Sequence, residues 1–353
     1  MAKIDAFLLE VLKRRGSDLH FIAGEPPRIR LYGELMPLTE QRLGQEFVRQ
    51  ALQEIMPKVA AERFESKDGA DFAYTIPEVG RFRVNVMRQL NGMGAVLRAI
   101  PSKALTLDEL DMPDAVRRLC LANNGLVLVT GKTGSGKSTT LAAMIDDINT
   151  REKGHILTIE DPIEFVHPRK NCLMSQREIG VHSPSFAAAL HSALREDPDV
   201  ILVGELRDLE TMSIAVTAAE TGILVMGTLH TNGAAQTVDR MVNVFPSDKQ
   251  SHVRGMLSTS LRGVVSQQLL RRADGQGRMA ALEILINTPA AASLIRQGKL
   301  DQLENTMQSG AQFGMRTMDS AIQQLLEQRL ITGEEAYQKA INKARFEALR
   351  GGA

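Results

Sequence analysis

The segment Gly125–Leu141 constrains the fold of this chain more than any other part of its sequence. It reads GLVLVTGKTGSGKSTTL. Leu126–Val129 is a short apolar run, which predicts a buried β-strand. Three glycines then mark a loop, and Lys137 opens a predicted helix that runs to about Ile148. A buried strand that passes through a glycine loop into a helix is typical of an α/β domain with a parallel sheet.

The glycine loop also has the spacing of a phosphate-binding P-loop, because Gly131 is followed after four residues by Gly136-Lys137-Ser138. Glycines let several backbone N–H groups point at phosphate oxygens, and the helix N-terminus adds a partial positive charge. Lys137 is expected to reach the β- and γ-phosphates of ATP, and the Ser138 hydroxyl is expected to ligate Mg²⁺. The predicted nucleotide contacts of this loop are Gly131, Thr133, Gly134, Ser135, Gly136, Lys137, Ser138 and Thr139.

Length and composition limit the alternatives. A chain of 353 residues suits two domains, and its 43% hydrophobic and 24% charged residues are ordinary for a globular protein. The formal net charge is zero, which gives no argument for nucleic-acid or anionic-membrane binding. No apolar run approaches the roughly 20 residues of a spanning helix. Cys120 and Cys172 lie far apart and predict neither a disulfide framework nor a zinc site, so a cytoplasmic protein is expected.

The first hundred residues predict a separate, smaller α+β domain. Apolar residues at helical spacing predict a helix at the start, which is followed by a hairpin that turns at Gly33. An amphipathic helix over Gln45–Met56 and a meander of three antiparallel strands come next. In the middle strand of this meander Arg81 and Arg83 share one face, and Arg98 lies in the next strand. On spacing alone, these arginines form either a solvated face or a functional one.

Polar residues follow each apolar strand after the P-loop. A predicted strand that begins at His155 runs into a segment with the carboxylates of Glu160 and Glu164. The strand Val200–Val203 is followed by Glu205, and the next strand is followed by His230. Ligands bind at the carboxyl ends of parallel strands, so these side chains are expected near the P-loop. The sequence therefore predicts a mostly parallel sheet covered on both faces, with one functional edge.

The last hundred residues predict mostly helices. Apolar residues recur at helical spacing over Val253–Leu270, a single strand is expected over Met279–Ile286, and short helices follow to a frayed tail after Arg350.

Taken together, these motifs resemble the bacterial type II/IV secretion ATPase superfamily and, within it, the PilT-like type IV pilus retraction ATPases. The motifs occur in the family's order: the P-loop, Glu160–Glu164, Gly204–Asp208 and Thr228–Thr231. The likeness covers the chain from Ser17 to Asp319. It implies a PAS-like domain over 1–100, a linker over 101–114, a RecA-like ATPase domain over 115–270 and a mostly helical C-terminal subdomain over 271–353.

The resemblance also implies roles for single residues. Glu160 and Glu164 match the family's Asp box and are alternatives for the residue that activates water. Glu205 matches its Walker B glutamate, expected to hold Mg²⁺, although Gly204 stands where an Asp is usual. His230 matches its His box. In the family the nucleotide lies between subunits of a hexamer, so Arg83 and Arg98 are expected to face the γ-phosphate, with Arg81 as an outer candidate.

The resemblance further implies a homohexamer at the cytoplasmic face of the inner membrane that acts on a pilus platform protein, possibly beside a second retraction ATPase. The chain lacks the four-cysteine zinc insertion of assembly-type and secretion relatives, which favours the retraction type. Two departures, Ile223 for a His and Ala292 for an Arg, leave an accessory PilU-like role open.

Two other classes of function compete with a pilus motor. A RecA-like nucleic-acid translocase would need a basic groove with stacking rings, but the chain is neutral, with three tyrosines and no tryptophan. A regulatory module that binds nucleotide without turnover would not need the acidic strand ends or His230. Both alternatives are therefore disfavoured by the sequence.

Overall fold

The computed structural model describes residues 2–31, 34–67, 69–100 and 104–350, which form two compact units. One unit contains the N-terminal hundred residues together with the short segments 161–166 and 180–182, and the other contains the remainder. The predicted turn at Gly33, the first residues of the predicted linker, and the tail after Arg350 lie outside the described residues.

The N-terminal unit is built on an antiparallel sheet. Within the described residues this sheet has six strands, in the order β3-β2-β1-β6-β5-β4. The strands are β1 (Asp18–Ile22), β2 (Arg28–Leu31), β3 (Glu34–Pro37), β4 (Gly69–Ile76), β5 (Gly80–Gln89) and β6 (Gly92–Ile100). The helices of this unit are α1 (Asp5–Lys13), α2 (Gln45–Ile55) and α3 (Lys58–Lys67).

One face of this sheet forms the core of the N-terminal unit. Phe82, Val84 and Val86 of β5 are fully buried, whereas Arg81 and Arg83, which point to the other face, are only partly buried. This alternation confirms the two faces predicted for the middle strand of the meander. The apolar faces of α1 and α2 belong to the same core cluster. Helix α3 was not predicted, and the PAS-like character of the unit stays a prediction.

The second unit is built on a mostly parallel sheet, which confirms the predicted fold class. Seven strands are described, in the order β13-β12-β7-β11-β10-β8-β9, and all neighbours are parallel except β12 and β13. They are β7 (Gly125–Thr130), β8 (His155–Glu160), β9 (Leu173–Glu178), β10 (Val200–Val203), β11 (Leu224–Leu229), β12 (Leu261–Arg271) and β13 (Arg278–Ile286).

Helices cover both faces of this sheet. Leu126 and Leu128 of β7 pack into one hydrophobic cluster, and Val127 and Val129 pack into the other. A strand buried on both faces is continuously apolar. The helices are α4 (Asp114–Leu119), α5 (Lys137–Arg151), α6 (Phe186–Ala193), α7 (Leu209–Glu220), α8 (Ala234–Asn243), α9 (Ser247–Ser260), α10 (Pro289–Gln297), α11 (Leu303–Ser309), α12 (Met318–Glu327), α13 (Gly333–Lys339) and α14 (Lys343–Phe346).

The helical interpretation of Val253–Leu270 was wrong for its second half. Helix α9 ends at Ser260, and the chain continues as β12, which lies between β7 and β13 in the sheet. Leu261 and Val264 pack into the cluster on one face and Val265 into the cluster on the other. Because both faces are buried, the apolar residues of β12 do not alternate with polar ones and imitate helical spacing.

Two further elements of this unit, β9 and α8, had no counterpart in the predictions. No helix within the described ranges is long and apolar enough to cross a membrane.

Candidate nucleotide site

The P-loop joins β7 to α5 as predicted, and its glycines are required by the local backbone. Gly131 has a φ of 141° and Gly136 a φ of 89°, both in the region that favours glycine. A Cβ atom on Gly131 would lie 2.3 Å from the carbonyl oxygen of Gln267, and one on Gly136 would lie 2.7 Å from its Nε2. Strand β12 therefore packs directly behind the loop, and only glycine fits at these two positions.

Lys137 is the first residue of α5, and its side chain is buried. Its ammonium donates hydrogen bonds to the carbonyl oxygens of Gly131, at 2.9 Å, and Lys132, at 3.2 Å. The positive charge is thus held inside the loop whose backbone is curled for phosphate binding.

The remaining predicted contacts fit a phosphate-bearing ligand. The Ser135 hydroxyl is buried and has no hydrogen-bond partner among the described atoms, which is unusual for a buried polar group. Ser138 and Thr139 are partly buried in the first turn of α5, where backbone N–H groups have no partner within the helix. The cradle of positive-φ glycines and the orphan hydroxyl therefore suit a bound nucleotide.

Three predicted motifs meet at His230. Its Nε2 lies 3.3 Å from a carboxylate oxygen of Glu205, and its Nδ1 lies 3.4 Å from the hydroxyl of Thr133 in the P-loop. His230 follows β11, Glu205 follows β10, and Thr133 follows β7, so three parallel strands contribute from their carboxyl ends. The arrangement agrees with the general position of ligand sites in such sheets.

The carboxylate of Glu205 lies between two basic groups. Arg207 approaches one oxygen at 2.7 Å, and His230 approaches the other. Burial acts to raise the pKa of Glu205, but the hydrogen bond and charge of Arg207, with a smaller effect of His230, outweigh it and lower the pKa. Glu205 is therefore ionised at neutral pH. Asp208, three residues beyond Glu205, caps the N-terminus of α7 by accepting the N–H of Thr211 at 2.8 Å.

Gly204, where an Asp is usual, has little room for a side chain. A Cβ at this position would lie 3.2 Å from the carbonyl oxygen of Ile159 and 3.3 Å from the Cα of Glu160. The hydroxyl of Thr228 also donates to the Gly204 carbonyl at 2.5 Å. The close approach of β8 therefore accounts for glycine here, and Glu205 is the acidic residue that this strand end contributes.

The two carboxylates of the Asp box lie in different compact units. Glu160, the last residue of β8, is buried and accepts a hydrogen bond from Thr158 at 2.7 Å. It is directly opposite a second buried glutamate, Glu178 of β9, which the sequence did not predict. Glu164 is partly buried in the segment 161–166 that groups with the N-terminal unit. Glu160 and Glu164 both stay candidates for the residue that activates water.

The predicted arginines lie on adjacent strands, and Arg83 of β5 is directly opposite Arg98 of β6. The Nε of Arg98 donates a hydrogen bond to the buried carboxylate of Asp18, a residue distant in sequence, at 2.8 Å. Burial acts to raise the pKa of Asp18, but hydrogen bonds from Ser17 and Arg98 lower it. In the part of the chain that the structure describes, no ion pair involves Arg83, which makes it the better candidate.

Sequence reasoning also missed the support behind the P-loop. Gln267 accepts a hydrogen bond from Thr140 at 2.7 Å, and this bond anchors the first turn of α5 to β12. Both side chains are almost fully buried. Since Gln267 lies in the segment that was predicted to be helical, no signal in the sequence placed it near the loop.

Comparison with known proteins identifies the family of this chain. A family model described as "Type II/IV secretion system protein" matches residues 1–350. The chain belongs to this family. The sequence-based assignment to the superfamily is thereby confirmed.

Similar relatives of the family include two proteins of Pseudomonas aeruginosa. The type IV pilus retraction ATPase PilT is 51% identical over 328 residues, which cover 93% of this chain and 95% of the relative. The type IV pilus ATPase PilU is 42% identical over 334 residues, which cover 95% and 87%. A crystal structure of the pilus retraction motor PilT with bound ADP has a TM-score of 0.91 and 43% identity, and the match covers 99% of both chains.

Proposed function

We propose that this chain is the ATP-hydrolysing motor of type IV pilus retraction. It is an ATPase of the type II/IV secretion family, similar over nearly its whole length to proteins named as retraction ATPases. The single observation that carries the activity is the meeting of Thr133, Glu205 and His230 at one sheet edge beside a complete P-loop. A structural glycine turn would need neither the ionised glutamate nor the histidine.

The residues of the site have distinct tasks in this proposal. The P-loop backbone and Lys137 hold the phosphates, and Ser138 and Glu205 hold Mg²⁺, which neutralises charge on the phosphate oxygens. His230, which contacts the P-loop and Glu205, is a further catalytic residue in this proposal. Arg83, with Arg98 and Arg81 as further candidates, acts on the γ-phosphate bound by a neighbouring subunit.

The motor works as a homohexamer in this proposal. A P-loop leaves charge on the γ-phosphoryl oxygens, and an arginine supplied by another subunit is a common remedy. The ring would act at the cytoplasmic face of the inner membrane on the platform protein of the pilus, without inserting into the membrane and without binding nucleic acid. A second retraction ATPase is a further proposed partner, because relatives of two kinds, PilT and PilU, exist in one organism.

The accessory, PilU-like role is the alternative. The identity of 51% with PilT against 42% with PilU favours the primary motor. The departure at Ala292 lies on α10, where Ala291 and Ile295 are buried and Ala292 is only partly buried. The helix thus forms and packs without the arginine expected there, so the departure does not argue against the fold of the motor.

Deletion of the gene separates retraction from assembly. A strain that lacks this protein should carry more surface pili than its parent and should lose twitching, because extension continues while retraction stops. Pilus counts by electron microscopy and colony spreading measure both effects. Complementation with the wild-type chain should restore both phenotypes, and complementation with Lys137→Ala should restore neither. Fewer pili in the deletion strain would instead indicate an assembly motor, and unchanged retraction would indicate an accessory role.

Substitution of the Asp-box glutamates identifies the residue that activates water. Replacement of the true base, either Glu160→Gln or Glu164→Gln, should lower kcat by at least about 100-fold while ATP binding persists, because the acceptor of the water proton is lost. Phosphate release and the affinity of a fluorescent ATP analogue measure the two effects. Glu178→Gln, which alters the neighbouring buried carboxylate, is the matched control. Unchanged turnover in both Asp-box variants would show that these glutamates have a structural role only.

A further inference from the structure

A buried glutamate lies behind the loop that carries His230. Glu283 of β13 is only 5% exposed. One of its carboxylate oxygens accepts the backbone N–H of Ala234 at 2.7 Å, and the other accepts the N–H of Met318 at 3.2 Å. Ala234 is the first residue of α8, and Met318 is the first residue of α12. A single carboxylate therefore satisfies one N-terminal backbone donor on each of two helices.

Helix α8 depends on this outside acceptor because its own N-cap residue is Gly233, which has no side chain to accept a hydrogen bond. Gly233 has a φ of 102°, and a Cβ there would lie 3.3 Å from Glu283 Oε1. The N–H of Gly233 itself donates to the hydroxyl of Ser266 at 2.9 Å. Two neighbouring strands thus supply the acceptors that the start of α8 lacks.

The same loop leads directly from His230 to α8. Thr231 and Thr237 share a hydrogen bond of 2.7 Å, and the Thr237 hydroxyl lies 2.7 Å from the Gly233 carbonyl oxygen. These bonds leave little freedom between His230 and the first turn of α8. The position of the imidazole relative to Glu205 and the P-loop therefore depends on the groups that hold the far end of the loop.

The other end of the Glu283 contact lies in the C-terminal helical region. The backbone of Arg316 pairs with Ile284 of β13 through bonds of 2.9 and 3.1 Å, and Thr317 caps α12 by accepting the N–H of Ser320. The start of α12 is thereby fixed on the strand that carries Glu283. A shift of α12 along β13 would disturb the carboxylate and, through it, the His230 loop.

We propose that Glu283 is a positioning residue for ATP hydrolysis, which sets the His230 loop and couples it to the start of α12. This inference rests on the proposed function, since it assumes that His230 takes part in turnover. Glu283 accepts hydrogen bonds from the starts of α8 and α12, so its effect is expected on turnover rather than on nucleotide binding.

Replacement of Glu283 by glutamine tests its simultaneous contacts with Ala234 and Met318 and changes the volume of the side chain little. A carboxylate can accept at both oxygens, whereas an amide presents one oxygen and one NH₂ donor, which would face a backbone N–H. Glu283→Gln should therefore release one of the two helices and lower kcat about tenfold or more, with the KM for ATP changed by less than about twofold. Hydrogen exchange of the amides at 230–234 and 316–318 should become faster in this variant.

A double-mutant cycle with His230→Ala distinguishes positioning from general destabilisation. If Glu283 acts through His230, Glu283→Gln should lower kcat little further once the imidazole is gone. The matched control is Glu335→Gln. Glu335 is a buried glutamate of α13, and its carboxylate accepts the backbone N–H of Arg271 at 3.0 Å. Glu335→Gln should lower thermal stability while leaving kcat near the wild-type value.

Ser266→Ala provides a second, milder variant that keeps the proposal testable if Glu283→Gln does not fold. It removes the hydroxyl that accepts the N–H of Gly233 and should also lower kcat. Its effect on kcat should not add to that of His230→Ala. The inference would be overturned by an unchanged kcat in folded Glu283→Gln, or in Ser266→Ala if only that variant folds. It would also be overturned if the effects of either variant and of His230→Ala on kcat were fully additive. A wild-type chain without ATP turnover, or an unaffected His230→Ala, would instead contradict the proposed function.

Discussion

Lys137→Ala is expected to abolish ATP turnover. Its ammonium is buried inside the P-loop and hydrogen-bonds two loop carbonyl oxygens, so it is the buried positive charge placed to reach the phosphates. Removal of a preorganised group that stabilises transition-state charge costs about 10²–10³ in rate, and we expect at least that loss here. Steady-state phosphate release measures it.

Lys132→Ala is the matched control for this experiment. Lys132 belongs to the same loop, but its side chain is exposed, and its backbone carbonyl accepts a hydrogen bond from Lys137. Its removal should leave turnover within about twofold of the wild type, because exposed side chains contribute little. Phosphate release from Lys137→Ala at the level of this control would mean that the P-loop has been assigned wrongly.

The functional edge of the sheet was predictable because it follows from local patterns. The strand Val200–Val203 is a short apolar run with a carboxylate just beyond it, and the structure gives the same bounds. The loop glycines and Lys137 follow a fixed spacing. Because parallel strands end at one edge, the amino-acid sequence alone was enough to expect Glu205 and His230 near the P-loop. The two side chains do meet there.

The supporting contacts could not be predicted, because they join residues that are distant in sequence. Arg98 and Asp18 are separated by 80 positions and meet only through the pairing of β1 with β6. Gln267 reaches the P-loop because β12 is a strand, although the spacing of the apolar residues in β12 resembles that of a helix. Tertiary pairing thus decided these contacts, and local periodicity had no information about them.

The second large effect is expected for Arg83. It lies on β5 opposite Arg98, and Arg98 is already held by Asp18, so Arg83 is the better candidate for an arginine that acts on a neighbour's nucleotide. An arginine of this kind can contribute about 10³–10⁵ in rate. Arg83→Ala should therefore lose nearly all hydrolysis while it still folds and still binds ATP. Arg88→Ala, on the same strand and exposed, is the matched control.

A mixture of two inactive chains tests whether this arginine acts between subunits. A Lys137→Ala chain keeps Arg83, and an Arg83→Ala chain keeps its P-loop, so a ring that contains both chains can form complete sites only if the arginine reaches a neighbour. With random assembly, about one interface in four would then combine an intact P-loop with an intact arginine. ATP hydrolysis should return in the mixture and stay absent in either chain alone. Confirmed mixed rings without activity would show that Arg83 does not complete a neighbour's site.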